Sequence, residues 1–140
     1  MEEYLIKKVA PLFGREKITN VVREHFAEGM KKFEDTIFKV DDFYVVDKDM
    51  LIQMRVPKEG SDPRDIIYIP KVELASGLFE IIKKSSGITK KGLFNTVAGL
   101  LGYARMGNTI NQKLTEALDC LLSNNLIQQI DLQFFVNEKV

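Results

Sequence analysis

LFNTVAGLLGYARMGNTI, Leu93 to Ile110, decides how the chain is read. It has the pattern of a short helix, a glycine stop, a tight loop and the start of a second helix. The phrase has a counterpart near the N-terminus. Leu5 to Gly14 reads LIKKVAPLFG against LFNTVAGLLG at Leu93 to Gly102, with Leu, Val, Ala, Leu and Gly in identical register and Phe13 answering Leu101. An arginine (Arg15, Arg105) and then an isoleucine that opens a second amphipathic stretch (Ile18, Ile110) follow each glycine. A repeated helix–turn–helix is therefore the organising unit.

Working outward, apolar spacing predicts helices over residues 3–13 and 16–34. The first carries Leu5, Val9, Leu12 and Phe13 on one side, and the second carries Ile18, Val22, Phe26, Met30 and Phe33. Thr36 to Val40 and Phe43 to Val46 flank the turn-forming pair Asp41-Asp42 and predict a hairpin. Leu51 to Val56 is expected as a third strand, PKEGSDPRD (57–65) as a loop and linker, and Ile66 to Ile69 as a fourth strand or an extended lead-in. In the second half, helices are expected over 71–84, 90–101 and 109–124. Thr89 and Asn108 are the cap candidates, and Ile88 stands as a lone apolar residue. Ile127 to Ile130 and Phe134 to Val136 form a final hairpin around Asp131-Leu132-Gln133. The hairpins echo each other too, Ile37 answering Ile127 and Phe43-Tyr44 answering Phe134-Phe135.

Three helices followed by a two-stranded hairpin is the winged-helix order, a variant of helix–turn–helix. The expected fold is thus α+β. An incomplete winged-helix repeat over residues 1–46, without its first helix, is joined through strand and linker at 47–70 to a complete winged-helix domain at 71–140. The incomplete repeat needs a surface to pack on, either elsewhere in the chain or on a partner.

Composition narrows the function. Apolar residues make up 45% and charged residues 29%, ordinary globular usage, and twenty basic residues balance twenty acidic ones. Zero net charge disfavours strong nonspecific nucleic-acid affinity but leaves room for a local basic face. The single cysteine, Cys120, makes no internal disulfide and fits a reducing compartment. No signal-peptide pattern or membrane-length apolar run occurs, so a cytoplasmic protein without membrane partners is expected. The sequence contains no GxxxxGK[ST] phosphate loop and no acidic metal motif, and it calls for no cofactor or metal. His25 has no companion ligand, Ser85-Ser86 no accompanying His–Asp arrangement, and the Asp41 to Asp49 acids lack the glycine and closing glutamate of a calcium loop.

Two groups of residues are candidates for nucleic-acid contact. Lys83, Lys84, Lys90, Lys91 and Arg105 form a basic cluster around the end of one helix, the start of the next and the repeated turn. Asn108, Asn111, Gln112 and Lys113, with Thr109 and Thr115, occupy the start of the last helix, where a helix–turn–helix protein presents side chains to the major groove. The alternatives are ordinary solvated charge for the lysines, a turn tied by the Arg105 guanidinium, and a plain exposed face for the last helix, where Glu116 and Asp119 would repel phosphates. In the first repeat, acids nearly cancel Arg15, Arg23, Lys31 and Lys32, which makes it the better packing or partner surface.

Four phrases carry a family resemblance: VAPLFGR (Val9 to Arg15), the FY…MRVP passage (Phe43 to Pro57), Arg64 with IIYIPKVELA (Ile66 to Ala75), and GITKKGLFNTVAGLLGYARMGNTI (Gly87 to Ile110) with its Gly102, Tyr103, Arg105 and Gly107 turn. Through these the chain resembles the tandem winged-helix region near the C-terminal end of large bacterial superfamily I DNA helicase-related proteins, long catalogued as a domain of unknown function. The resemblance covers nearly the whole chain. It implies a non-catalytic, DNA-binding accessory module of a larger protein whose ATPase and nuclease-like domains lie elsewhere. Helicase motor domains, or a second copy in a homodimer, are the implied protein partners. A chain that starts mid-domain would account for the missing first helix.

Overall fold

The computed structural model describes residues 2–32, 38–40, 43–45 and 53–138. The chain divides into two compact units, Met1–Met50 and Leu51–Val140, a boundary inside the segment expected to join two repeats. The architecture is α+β. Among the described residues there are five α-helices, a two-stranded hairpin and a three-stranded antiparallel sheet.

In the first unit, helix α1 covers Glu2–Val9 and runs into a 3-10 turn at Ala10–Phe13. Pro11 explains the tightening: it has no N–H to donate back into an α-helix. The tighter pitch turns the following residues off the apolar stripe. Leu12 and Phe13, expected on the buried side, are 80% and 77% exposed, and the buried residues are Ile6 and Ala10. Helix α2 begins only at Asn20 and extends to Lys31, because Thr19 caps it by accepting the Val22 N–H at 3.3 Å. Strands β1 (Phe38–Val40) and β2 (Phe43–Val45) pair antiparallel as expected. The expectations for Phe33, Thr36, Ile37, Val46, the two aspartate turns and Leu51-Ile52 fall outside the described residues.

The second unit holds most of the core. Helix α3 (Lys71–Lys84) is followed by β3 (Ile88–Thr89), α4 (Lys90–Leu100), α5 (Asn108–Ser123), β4 (Ile127–Ile130) and β5 (Gln133–Val136). The sheet order is β3-β5-β4, with Ile88 opposite Phe134 and Ile130 opposite Gln133. This order of helices and strands is compatible with a winged-helix-like fold. Leu74, Leu78 and Ile82 of α3 meet Leu93 of α4 and Leu114 and Leu118 of α5 in one cluster, all at 2% exposure or less. Each such side chain contributes roughly 1.5–3 kcal/mol on burial. Ile88 is therefore not an isolated apolar residue but the edge strand that ties the hairpin to the helices.

Two expectations fail here. Gln53 to Val56 forms no strand, and Ile66–Tyr68 is a single 3-10 turn entered through Asp65, whose side chain accepts the Ile67 N–H. Asn108 does not cap α5. The helix starts one residue earlier, with Gly107 at the cap and Asn108 in the first turn. Thr89 does cap α4, accepting the Gly92 N–H at 3.2 Å.

The repeated glycines end their helices in the same way. Gly14 and Gly102 take φ +72° and +85°. Gly14 N–H donates to Pro11 O and Arg15 N–H to Ala10 O, and Gly102 N–H donates to Gly99 O and Tyr103 N–H to Ala98 O. In both turns the pair of bonds spans the same residue separations and satisfies carbonyls that the helix end leaves open. Gly102→Ala should lower unfolding free energy by about 1–2 kcal/mol, because alanine resists positive φ. Thr89→Ala should cost about 1 kcal/mol through loss of the cap. Urea unfolding followed by circular dichroism measures both, and no change at Gly102 would rule out the strained-turn account.

Candidate nucleic-acid interface

From Lys83 to Lys113 the chain carries six basic residues and no acidic one. The fold distributes them over two ends of α4. Lys83 and Lys84 close α3, and Lys90 and Lys91 open α4 just after the short β3. Arg105 lies beyond the other end of α4, in the turn that leads to α5. The eleven residues of α4 separate these ends by roughly 16 Å at 1.5 Å rise per residue. The cluster expected from the sequence is therefore two groups rather than one: a lysine group at the α3–α4 junction, and Arg105 with the first turns of α5.

Lys83, Lys84, Lys90, Lys91 and Arg105 are all exposed, and none forms an ion pair among the described residues. Lys90 places its ammonium 5.4 Å from the centre of the Phe94 ring, so its stem lies along an apolar surface while its charge stays in water. Arg105 makes no bond that would tie the turn. The α5 residues divide. Asn108, Thr109 and Asn111 are exposed, and Thr115 donates back to the Asn111 carbonyl at 2.8 Å. Gln112 and Lys113 both turn toward Glu116, at 3.3 Å and 3.7 Å. That acid occupies the donors with which these two side chains would read a base edge or hold a phosphate. The first turn of α5 has no side-chain cap, so its N–H groups remain available to an acceptor.

The turn itself is held from a direction the sequence reading missed. Glu73, in the first turn of α3, has no exposed surface. Its carboxylate accepts from the Arg55 N–H at 2.9 Å and the Arg55 guanidinium at 3.0 Å, and from the Arg64 guanidinium at 2.6 Å. Arg64 also donates to the Arg55 carbonyl at 2.8 Å, and its own carbonyl accepts the Tyr103 hydroxyl at 2.6 Å. Residues 53–70 are thus strapped to α3, and the strap is fastened to the α4–α5 turn two residues before Arg105. Met54 lies so close to Gly77 of α3 that a Cβ there would be under 3 Å from the methionine side chain. Burial alone would raise the Glu73 pKa, but the hydrogen bonds from Arg64 and Arg55 outweigh it and hold the carboxyl below its ordinary 4.5. Burial pushes the Tyr103 phenol up from its usual range.

The remaining candidates have structural roles or none. Ser85 donates its hydroxyl to the Ile82 carbonyl at 2.7 Å, closing α3. Cys120 is half-buried in α5. No group of three metal-ligating side chains occurs among the described residues, and no helix there is long and apolar enough to cross a membrane.

Two outcomes test the Glu73 cluster. Arg55→Met/Arg64→Met leaves a buried, uncompensated carboxylate and should cost roughly 3 kcal/mol, whereas adding Glu73→Leu should recover most of the loss. Equal stability of the double and triple variants in denaturant would overturn this account. In the wild type the depressed pKa makes the carboxylate's contribution complete above about pH 4.5 and removes it as pH falls below that through the folded-state value. Glu73→Gln should flatten that part of the stability–pH profile.

No family model matches the chain, and no curated protein or solved structure matches it significantly.

Proposed function

We propose that the second unit is a winged-helix module that grips the backbone of duplex DNA, and that the chain serves as a non-catalytic accessory part of a helicase-like, cytoplasmic DNA-processing protein. One observation carries the DNA reading: an acid-free run from Lys83 to Lys113 whose lysines at the α3–α4 junction and whose Arg105 are exposed and without ion pairs among the described residues. Phosphate neutralisation supplies most nucleic-acid affinity, and it needs cations that no neighbouring carboxylate already satisfies. Two groups roughly 16 Å apart along α4 suit contact with separate stretches of backbone. The uncapped first turn of α5 adds N–H groups of the same polarity. Sequence-specific reading has less support, because Glu116 engages Gln112 and Lys113. The helicase context rests on the sequence resemblance alone.

A second reading, a protein-interaction or self-association module, draws on the first unit. There Val22, Phe26 and Met30 line an open apolar cleft, and no residue of α2 is fully buried.

Binding to a labelled duplex at 50 and 200 mM salt separates the two readings. Wild type should bind measurably at low salt and lose affinity steeply at the higher. Lys90→Glu/Lys91→Glu/Arg105→Glu should weaken binding at least about tenfold and reduce the slope of log affinity on log salt by roughly 2–3, at about 0.9 per phosphate contact. A triple variant that binds as well as wild type would overturn the proposed site.

A further inference from the structure

The first unit contains a cleft of about 670 Å³ between α1, its 3-10 extension and α2. Its walls are apolar, Leu5 and Val9 facing Val22, Phe26 and Met30, and two polar side chains, Arg15 and His25, line it as well. For a helix of twelve residues whose apolar positions recur every fourth residue, the absence of any fully buried side chain in α2 is unusual, since such a stripe is ordinarily covered. The second unit shows what covers the corresponding stripe there. Helices α4 and α5 match α1 and α2 in sequence register and in the hydrogen bonds of the intervening glycine turn. Helix α3 lies against that pair and brings Leu114, Leu118 and Leu121 of α5 to 4% exposure or less.

Charge narrows the identity of the missing cover. Arg23 of the first unit is held by Glu3 at 2.7 Å, but Arg15 meets no carboxylate among the described residues. Its counterpart in register is Tyr103, which is fastened to the strap that Glu73 of α3 holds. A helix seated on the first unit as α3 is seated on the second would bring its first turn toward Arg15. With Arg15 and His25 lining the cleft, a carboxylate is the side chain that suits that position.

We propose that this cleft receives an amphipathic helix from a partner protein, with apolar residues at i, i+4 and i+8 entering between α1 and α2 and an acidic residue in its first turn pairing with Arg15. This inference does not depend on DNA binding by the second unit.

The probe is a capped synthetic peptide with the α3 sequence KVELASGLFEIIKK, which has the required stripe and has Glu73 in its first turn. It is titrated into the full chain and followed by the methyl signals of the methionines. Saturable perturbation of Met30 is expected, with an apparent Kd on the order of 100 μM because a free peptide of this length must first order into a helix. Phe26→Asp should abolish it. Arg15→Glu should weaken it roughly fivefold, the scale of one exposed ion pair. A Glu73→Lys peptide should bind the Arg15→Glu chain more tightly than it binds wild type. Because Arg15 is exposed, that charge exchange tests the contact without disturbing the fold. Perturbation confined to the second unit, no saturation at millimolar peptide, or no recovery in the charge exchange would each overturn the proposal. So would sedimentation showing a wild-type dimer that Phe26→Asp dissociates, since the occupant would then be a second copy.

Discussion

A carboxylate with no exposed surface, held by two arginines, sets the geometry of the second unit. Glu73 lies among leucines on α3, where an unpaired charge would be expensive. Arg55 and Arg64 satisfy it while keeping 54% and 32% of their own side chains in water. The pairing is therefore asymmetric: solvent still reaches the cations, and only the anion depends on the protein for its whole environment. This arrangement fixes residues that otherwise have little regular structure. Gln53 to Pro70 contains one short 3-10 turn, yet the segment is positioned from both sides, by Glu73 below and by the Tyr103 hydroxyl at the α4–α5 turn. Arg105 owes its place to that chain of contacts.

The two units use related sequences to different ends. In the second, a covering helix converts the amphipathic pair α4 and α5 into a dry core, and the charged residues are left to the rim. In the first, the pair α1 and α2 has the same kind of stripe and the same glycine turn, but its apolar side chains line an open cleft. Leu12 and Phe13 are more exposed still, because Pro11 changes the helical pitch just before them. A solvated surface of this kind is stable in isolation only at a cost in apolar exposure, which is why a binding role suits it better than a purely structural one.

Much of the fold was legible in the sequence, for physical reasons. Helix α3 was expected over its observed span, since Leu74, Leu78 and Ile82 repeat at 3.6-residue spacing and Pro70 and Ser85 bound it. The final hairpin and the Thr89 cap were equally plain. Strand β3 was not, because two residues cannot show an alternating period, and Ile88 gains its strand character only from pairing with Phe134. The strand expected at Leu51 to Val56 failed over its described part because hydrogen bonds to a distant side chain, not to a neighbouring strand, hold the backbone at Arg55. Glu73 escaped notice because an acid in a helix's first turn is ordinary, and only its place on the apolar stripe beside Leu74 could have drawn attention to it. The site was legible as residue types but not as an arrangement. The length of α4 separates Arg105 from the lysines, and Glu116 draws in Gln112 and Lys113.

Strand β3 also bears on the order in which the second unit forms. Its two residues pair with β5 across the whole of α4 and α5. Closing so long a loop for so few hydrogen bonds is unfavourable until the intervening helices have condensed against α3. The helices are therefore the early structure and the sheet the late one, although β4 and β5 are neighbours and pair locally. The hairpin can form and open on its own, and it becomes part of the folded unit only when Ile88 meets Phe134. That single apolar contact at the edge of the sheet marks the completion of folding.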